Sequence, residues 1–197
     1  MTSAALPARR ADLERTALLL ACATIAWNVI EAVVALASGV IAGSVALVGF
    51  GLDSIVEVGS AVVVAWQFRG VSEEREERAL RLIAISFFGL TAYIVFDSAR
   101  SLIDGDRAST STAGIVIASL SLVVMPTLAW AERRTARSLG SRTVAADSRQ
   151  TMLCTYLSAV LLTGLALNAR FGWWWADPVA ALAIAGVAAK EGRGAWR

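Results

Sequence analysis

Long apolar stretches alternate with short polar ones along this chain of 197 residues. Several stretches of about 20 residues carry no charge or only one, which is the length that an α-helix needs to cross roughly 30 Å of hydrocarbon. Runs this long predict helices rather than the short alternating strands of a membrane barrel. The pattern therefore predicts an all-α membrane protein with six transmembrane helices, at 16–38, 42–67, 82–103, 112–131, 148–169 and 173–190.

The composition agrees with a membrane domain and leaves little room for anything else. Hydrophobic residues make up 57% of the chain and the mean hydropathy is +0.63, whereas soluble domains hold apolar content near half. We expect one transmembrane domain over 16–191, with cytoplasmic tails at 1–15 and 192–197. The N-terminal segment lacks the cleavage pattern of a signal peptide, so we expect the first span to remain in the mature protein.

The placement of basic residues predicts the orientation of the helices. With six spans, both termini lie on one side of the membrane. Of the 18 Lys and Arg residues, three lie on the opposite side (Arg100, Arg107 and Arg170) and the other 15 share the side of the termini. Because cytoplasmic loops carry the excess of Lys and Arg, both termini are predicted to be cytoplasmic, with the plasma membrane as the expected location.

The sequence carries no sign of an enzyme or of a nucleic-acid-binding protein. Cys22 and Cys154 both lie in apolar runs and give no disulfide framework. Histidine is absent. No nucleophile–base pair, glycine-rich phosphate loop or basic nucleic-acid face stands out, so we expect neither catalysis nor a nucleic-acid partner.

Two carboxylates in the second span are the main candidates for function. Asp53 and Glu57 stand four residues apart in the stretch "GFGLDSIVEV", on one face and near the middle of the span. An ionisable side chain at that depth costs about 2.5–3.5 kcal/mol and usually faces the interior of a bundle or a water cavity. Two like charges so close either share protons or bind a cation, and both options indicate a transport path.

The fifth span offers a matching pair. Gln150 and Cys154 are also four residues apart, and the antiparallel direction of spans 2 and 5 predicts Cys154 level with Asp53 and Gln150 level with Glu57. Four such side chains can surround a metal ion, and a mixed oxygen and sulfur set suits zinc. Cadmium fits the thiolate as well, while iron and manganese fit the carboxylates.

Other polar residues of the spans have expected roles near this site or at the helix ends. Asn28 and Glu31 in span 1 are candidates for positioning the site or carrying protons, with interhelical hydrogen bonding as the alternative. Asp97 is expected to pair locally with Arg100 or to face the outer mouth, and Asp177 to cap the N-terminus of span 6. Gly39 and Gly43, next to Ser38, predict a close helix approach at the first turn.

The sequence resembles the transmembrane part of the cation diffusion facilitator family. The matching stretches are "WNVIEAVVALASGV" in span 1, "SGVIAGSVALVGFGLDSIVEV" around span 2, "ADSRQTMLCTYLSAVLLTGL" opening span 5 and "WADPVAALAIAGVAAKEG" in span 6. With six spans and cytoplasmic termini, the resemblance covers nearly all of the chain after about residue 16.

The resemblance implies a homodimer that exports divalent metal ions from the cytoplasm in exchange for protons. In the family, span 2 supplies His or Asp followed four residues later by Asp, and span 5 supplies a similar pair. Asp53 and Glu57 match the first pair, and Gln150 and Cys154 fall at the second.

The chain departs from the family pattern in several places. Glu replaces Asp at 57, and neither span 5 position keeps the usual residue. A His-rich loop is absent, and the sequence ends at Arg197, where the family has a soluble C-terminal metal-binding domain. We therefore expect a short, membrane-only branch of the family.

The expected function is secondary active export of a divalent transition metal, most readily zinc, by exchange with protons across the bilayer. No permanently bound cofactor is expected. Two alternatives remain open at this point: a proton-coupled exporter of organic cations, in which Cys154 is incidental, and a membrane scaffold or regulatory subunit with a degenerate metal site.

Overall fold

The computed structural model describes residues 5–67 and 73–196, and it is helical throughout its length. Six helices follow one another along the chain: α1 (Ala5–Ala42), α2 (Val45–Gln67), α3 (Glu73–Asp104), α4 (Thr112–Leu139), α5 (Arg142–Phe171) and α6 (Ala176–Trp196). Each predicted span falls within one helix or overlaps nearly all of it, so the predicted all-α fold is confirmed. The helices run past the apolar cores of the spans, and α1 already begins inside the predicted N-terminal tail.

Three of these helices are long and apolar enough to cross a membrane by length and composition alone. They comprise Arg10–Ala42 in α1, Thr112–Leu139 in α4 and Asp147–Phe171 in α5, among the residues that the structure describes. The charged segment between spans 2 and 3 lies partly outside the described part of the chain. This concerns Arg69 and the side chains of Glu74, Glu77 and Arg78. Six crossings and the cytoplasmic orientation stay predictions.

Serine and glycine residues set the ends of α4 and α5. Ser111 and Ser141 precede the two helices, and their hydroxyls accept hydrogen bonds from the backbone N–H groups of Gly114 and Val144 at 3.0 and 3.4 Å. Gly140 ends α4 in the left-handed region, at φ 65°. Because serine satisfies free N–H groups and glycine adopts positive φ without strain, these residues define a tight α4–α5 turn.

Helix α2 lies in the middle of the bundle. It packs against α1, α3, α5 and α6, while α4 packs against α1 and α5. The core at the centre includes Leu47 and Phe50 of α2, Ile94 of α3, Leu161 of α5 and Ile184 of α6, all fully buried. A polar residue on the inward face of α2 is therefore enclosed by other helices.

Close approach of α1 and α2 depends on small residues, as the sequence predicts. A Cβ added at Gly39 would lie 2.8 Å from the backbone nitrogen of Val48, and one at Gly51 would lie 2.8 Å from the Leu36 side chain. Gly43 forms the turn between the two helices at φ 65°. The predicted small-residue contact beside Ser38 is confirmed.

Asp177 is predicted to cap only its own helix, but the structure gives it a further role. It lies in the first turn of α6, but its carboxylate accepts a 2.5 Å hydrogen bond from the Ser44 hydroxyl and one of 3.4 Å from the backbone N–H of Ala46. Asp177 therefore caps the N-terminus of α2 from a neighbouring helix. Sequence spacing could not show this, because the two segments are more than 130 residues apart.

Asp97 also has a different partner from the one predicted. The Tyr93 hydroxyl donates to Asp97 at 3.4 Å, whereas Arg100 pairs with Asp104 at 3.4 Å on the exposed side of α3. Asp97 lines an open cavity at the α1–α2 turn together with Gly43 and Asp106. The alternative prediction, a contact at one mouth of the bundle, describes its position better.

The Gly39 contact gives a test of the packing. Gly39→Ala should lower the free energy of unfolding by about 1–3 kcal/mol, because the added methyl meets backbone that has little room to move. Gly59→Ala is the matched control, since a Cβ there meets nothing within 4 Å, and it should leave stability unchanged or raise it by up to about 1 kcal/mol. Unfolding of both purified variants in mixed detergent micelles measures the difference; equal stabilities would contradict the close approach.

Candidate metal centre

The interior of the bundle holds acidic side chains without basic ones to match them. Among the side chains that the structure describes, six carboxylates are buried: Glu31, Asp53, Glu57, Glu132, Asp147 and Asp177. Over the described side chains, no Lys or Arg is buried. A buried carboxylate needs hydrogen-bond donors, a proton or a cation, so the arrangement of donors decides which of the six can bind something else.

Asp53 and Glu57 lie on the inward face of α2, as predicted. They are 8% and 2% exposed, and they occupy the middle of a helix that runs from Val45 to Gln67. Asp53 interacts electrostatically with Glu31, and Glu57 with both Asp53 and Glu31. Glu57 Oε1 has no hydrogen-bond partner although it is buried. That oxygen is the free acceptor at the middle of the bundle.

Glu31 is held far more firmly than Glu57. Its Oε1 accepts from the Ser54 hydroxyl at 2.7 Å, and its Oε2 accepts from the Trp27 indole N–H at 3.0 Å and from the Ser121 hydroxyl. These donors come from α1, α2 and α4. A carboxylate with this many donors stays in place, so Glu31 fixes one wall of the site.

Cys154 lies between the two glutamates. Its Sγ is 3.6 Å from Glu31 Oε1 and lies beside the Glu57 carboxylate, with Asp53 farther along the same cluster. Cys154 thus interacts with Glu57 and Asp53 alike, and the predicted register, Cys154 level with Asp53, stays a prediction. We call Glu31, Asp53, Glu57 and Cys154 the central cluster.

Gln150 and Asn28 lie outside this central cluster. Gln150 is partly exposed, and no hydrogen bond joins its side chain to the residues that the structure describes. Asn28 is fully buried and donates to the Thr24 carbonyl oxygen at 3.1 Å, while its Oδ1 lacks a partner. Both side chains lie one helical turn from a member of the central cluster.

The central cluster is not a closed metal cage. Across residues 5–67 and 73–196, no three Cys, Asp or Glu side chains come together in a geometry that holds a metal ion. Without a cation, like-charged carboxylates have no reason to converge on one point. Electrostatic interactions nevertheless link the four side chains of the central cluster to one another.

The sequence pattern does not indicate that two further acidic residues lie in the interior. Glu132 and Asp147 are 1% and 4% exposed, although the sequence places them beside clusters of arginine at helix ends. The Thr24 hydroxyl donates to Glu132 Oε1 at 2.8 Å, and Thr151 lies next to the same carboxylate. The spacing of Asp147 to Cys154, two helical turns on one face, is the signal that could have revealed Asp147.

Comparison with known proteins places this arrangement in a family. The family model described as "Cation efflux transmembrane domain" matches residues 21–196, which include all the members of the central cluster. The chain is 25% identical to the cation-efflux pump FieF of Shewanella oneidensis over 154 residues, covering 73% of this chain and 52% of the relative. It is 27% identical to an uncharacterized transporter of Synechocystis over 155 residues, covering 73% and 50%.

The chain thus spans about half the length of both curated relatives. The family match itself extends over nearly all of the helical bundle. The chain therefore belongs to the cation efflux transmembrane domain family, whose members are transporters rather than enzymes.

Proposed function

We propose that this protein is a secondary active transporter that exports a divalent transition metal, with zinc as the favoured cargo, in exchange for protons. The observation that carries the proposal is the buried, unpartnered Glu57 Oε1 beside the Cys154 thiol. An acceptor that no described side chain satisfies, next to a thiol, has the chemistry of a ligand position for a metal ion.

The donor types favour zinc over the hard divalent ions. Carboxylate oxygen from Asp53 and Glu57 with sulfur from Cys154 gives a mixed set that zinc accepts in tetrahedral geometry. Magnesium and calcium prefer oxygen ligands alone. The thiol also suits cadmium, and the carboxylates would serve iron and manganese.

The residues of the site divide into fixed and movable groups. Glu31 is fixed by Ser54, Trp27 and Ser121, so it would orient the Cys154 thiol rather than leave its own donors. Asp53 and Glu57 have fewer restraints and would close on the cation. Gln150, one turn from Cys154, would supply the weakest ligand, an amide oxygen.

Exchange with protons follows from the same side chains. Binding of a metal ion to a thiol or a protonated carboxyl releases the proton. Protons that arrive when the site opens to the other side would compete for the same atoms and displace the metal. Rocking of α2 against α5 would alternate the access, because the central cluster lies between these two helices.

The rest of the proposal concerns the setting of the bundle. We infer six crossings with cytoplasmic termini from the distribution of Lys and Arg, and a homodimer in the plasma membrane from the resemblance to the family. No described feature favours an organic cation or a scaffold, and both appear below as outcomes of the tests.

Asp53→Asn should reduce zinc uptake into proteoliposomes by at least about 10-fold, in line with the loss on removing groups that support a metal site. The substitution keeps the size of the side chain and removes the charge that neutralises the cation. Asp97→Asn, at one mouth of the bundle, is the matched control and should retain nearly full uptake. Zinc uptake at the wild-type rate in Asp53→Asn would reject the site.

Cys154→Ser should change the preference among metals. Replacing sulfur by oxygen weakens soft ions most, so uptake of zinc and cadmium should fall by at least about 10-fold while uptake of manganese falls less. Parallel flux measurements with the three ions give the ratio. If uptake of all three ions fell equally, or if no uptake fell, Cys154 would lie outside the ligand set. That result would agree with an organic-cation carrier or a scaffold.

Zinc transport should change the pH of the vesicle lumen, because protons move in the direction opposite to the metal. In vesicles that contain a pH-sensitive dye, inward zinc movement should be accompanied by outward proton movement, and the lumen should become more alkaline. Asp53→Asn should abolish this pH change together with the flux. Zinc uptake without any pH change would exclude proton exchange while leaving zinc transport intact.

A further inference from the structure

A second acidic pair lies in the bundle interior, about two helical turns from the central cluster along α5, and Asp147 interacts electrostatically with Glu57. Glu132 is near the end of α4 and Asp147 near the beginning of α5, on either side of the α4–α5 turn. They are 1% and 4% exposed and interact with each other electrostatically. One oxygen of each, Glu132 Oε2 and Asp147 Oδ1, is buried without a hydrogen-bond partner.

The structure positions this pair through neighbouring hydroxyls. Thr24 of α1 donates to Glu132 Oε1 at 2.8 Å, which holds the carboxylate in a fixed orientation and leaves Oε2 free. Thr151 of α5 lies beside Glu132 and donates to the Asp147 carbonyl oxygen at 3.2 Å. A fixed carboxylate with a free buried oxygen is expensive unless something else binds to it.

Basic residues do not neutralise the pair from the interior. Arg133, Arg134 and Arg137 follow Glu132 in sequence but are all exposed, with Arg134 stacked on the Trp130 ring at 5.6 Å. Arg149, two residues after Asp147, is exposed as well. In the interior that the structure describes, both carboxylates are thus without a cationic partner.

Polar side chains connect this pair to the central cluster along two helices. On α1, Thr24, Asn28 and Glu31 succeed one another on the inward face, and on α5 the series is Asp147, Thr151 and Cys154. From its first to its last residue, each series advances by seven positions, which is about 10 Å of helix. Asn28 lies between the two levels, and its Oδ1 is another buried acceptor without a partner.

We propose that Glu132 and Asp147 form a second binding site for a divalent cation, which takes up the cargo before it reaches the central cluster. The proposal rests on the proposed metal transport. The basic residues predict that the α4–α5 turn faces the cytoplasm, so this site lies on the side from which the cargo enters. Its ligands are oxygen atoms only, with water completing the shell, so it accepts hard and borderline divalent ions and gives no selection for soft metals. The thiol of the central cluster then adds selectivity.

Cobalt binding to the purified full-length chain distinguishes the two sites. A thiolate ligand gives Co²⁺ a near-ultraviolet charge-transfer band, which oxygen ligands do not give. Equilibrium dialysis counts the bound ions, and absorption reports whether the thiolate is a ligand. The variants are Glu132→Gln and Asp147→Asn, singly and together, with Cys154→Ser as the central variant and Asp97→Asn as the matched control.

We expect the wild-type chain and Asp97→Asn to bind two Co²⁺ ions with the thiolate band present. The double variant should bind one ion fewer and keep the band, while Cys154→Ser should lose the band and keep the oxygen-bound ion. Each single variant should weaken the affinity for that ion by about 10-fold or more, which tests the site even where the double variant fails to fold.

Two results would overturn the second site. The first is a double variant that binds as many ions as the wild type. The second is a single variant that loses the thiolate band together with all bound Co²⁺. That second result would mean that the pair only supports the structure of the central cluster. A wild-type chain that binds Co²⁺ without any thiolate band would instead reject the proposed central site, and the difference in bound ions between wild type and double variant would still decide on the second one.

Discussion

The structure depends on buried negative charge that is not balanced by buried positive charge. Six carboxylates lie in the interior, and none of the described Lys and Arg side chains joins them there. Each such group costs several kcal/mol unless donors, protons or cations satisfy it. Packing alone does not offset this cost, so hydrogen-bond donors, protons or cations must satisfy each of these carboxylates.

The six carboxylates are satisfied in different ways, and the differences indicate their roles. Asp177 accepts from Ser44 and from the backbone at the start of α2, which makes it part of the scaffold. Glu31 accepts hydrogen bonds from residues on three helices, which hold its carboxylate in one orientation. Glu57, Glu132 and Asp147 each keep a buried oxygen without a partner. Hydrogen-bond donors are thus concentrated on Asp177 and Glu31, while Glu57, Glu132 and Asp147 retain unsatisfied buried oxygens.

Close helix packing makes this arrangement possible. Glycine at positions 39 and 51 brings α1 to van der Waals distance from α2, so that Ser54 of α2 reaches Glu31 of α1. The central position of α2, in contact with α1, α3, α5 and α6, then shields Asp53 and Glu57 from lipid.

The sequence by itself determined the helical class, the approximate position of all six helices, the family resemblance and the acidic pair on α2. These features follow from local patterns: hydrophobic length and the four-residue spacing that puts two side chains on one face. Only the tertiary structure decided that Cys154 lies beside Glu31 and Glu57, that Asp177 caps α2, and that Glu132 and Asp147 are buried. The physical reason is that relative height and rotation of helices come from packing between segments far apart in the chain. A charge next to arginines at a helix end has the same local sequence pattern whether it faces water or the interior.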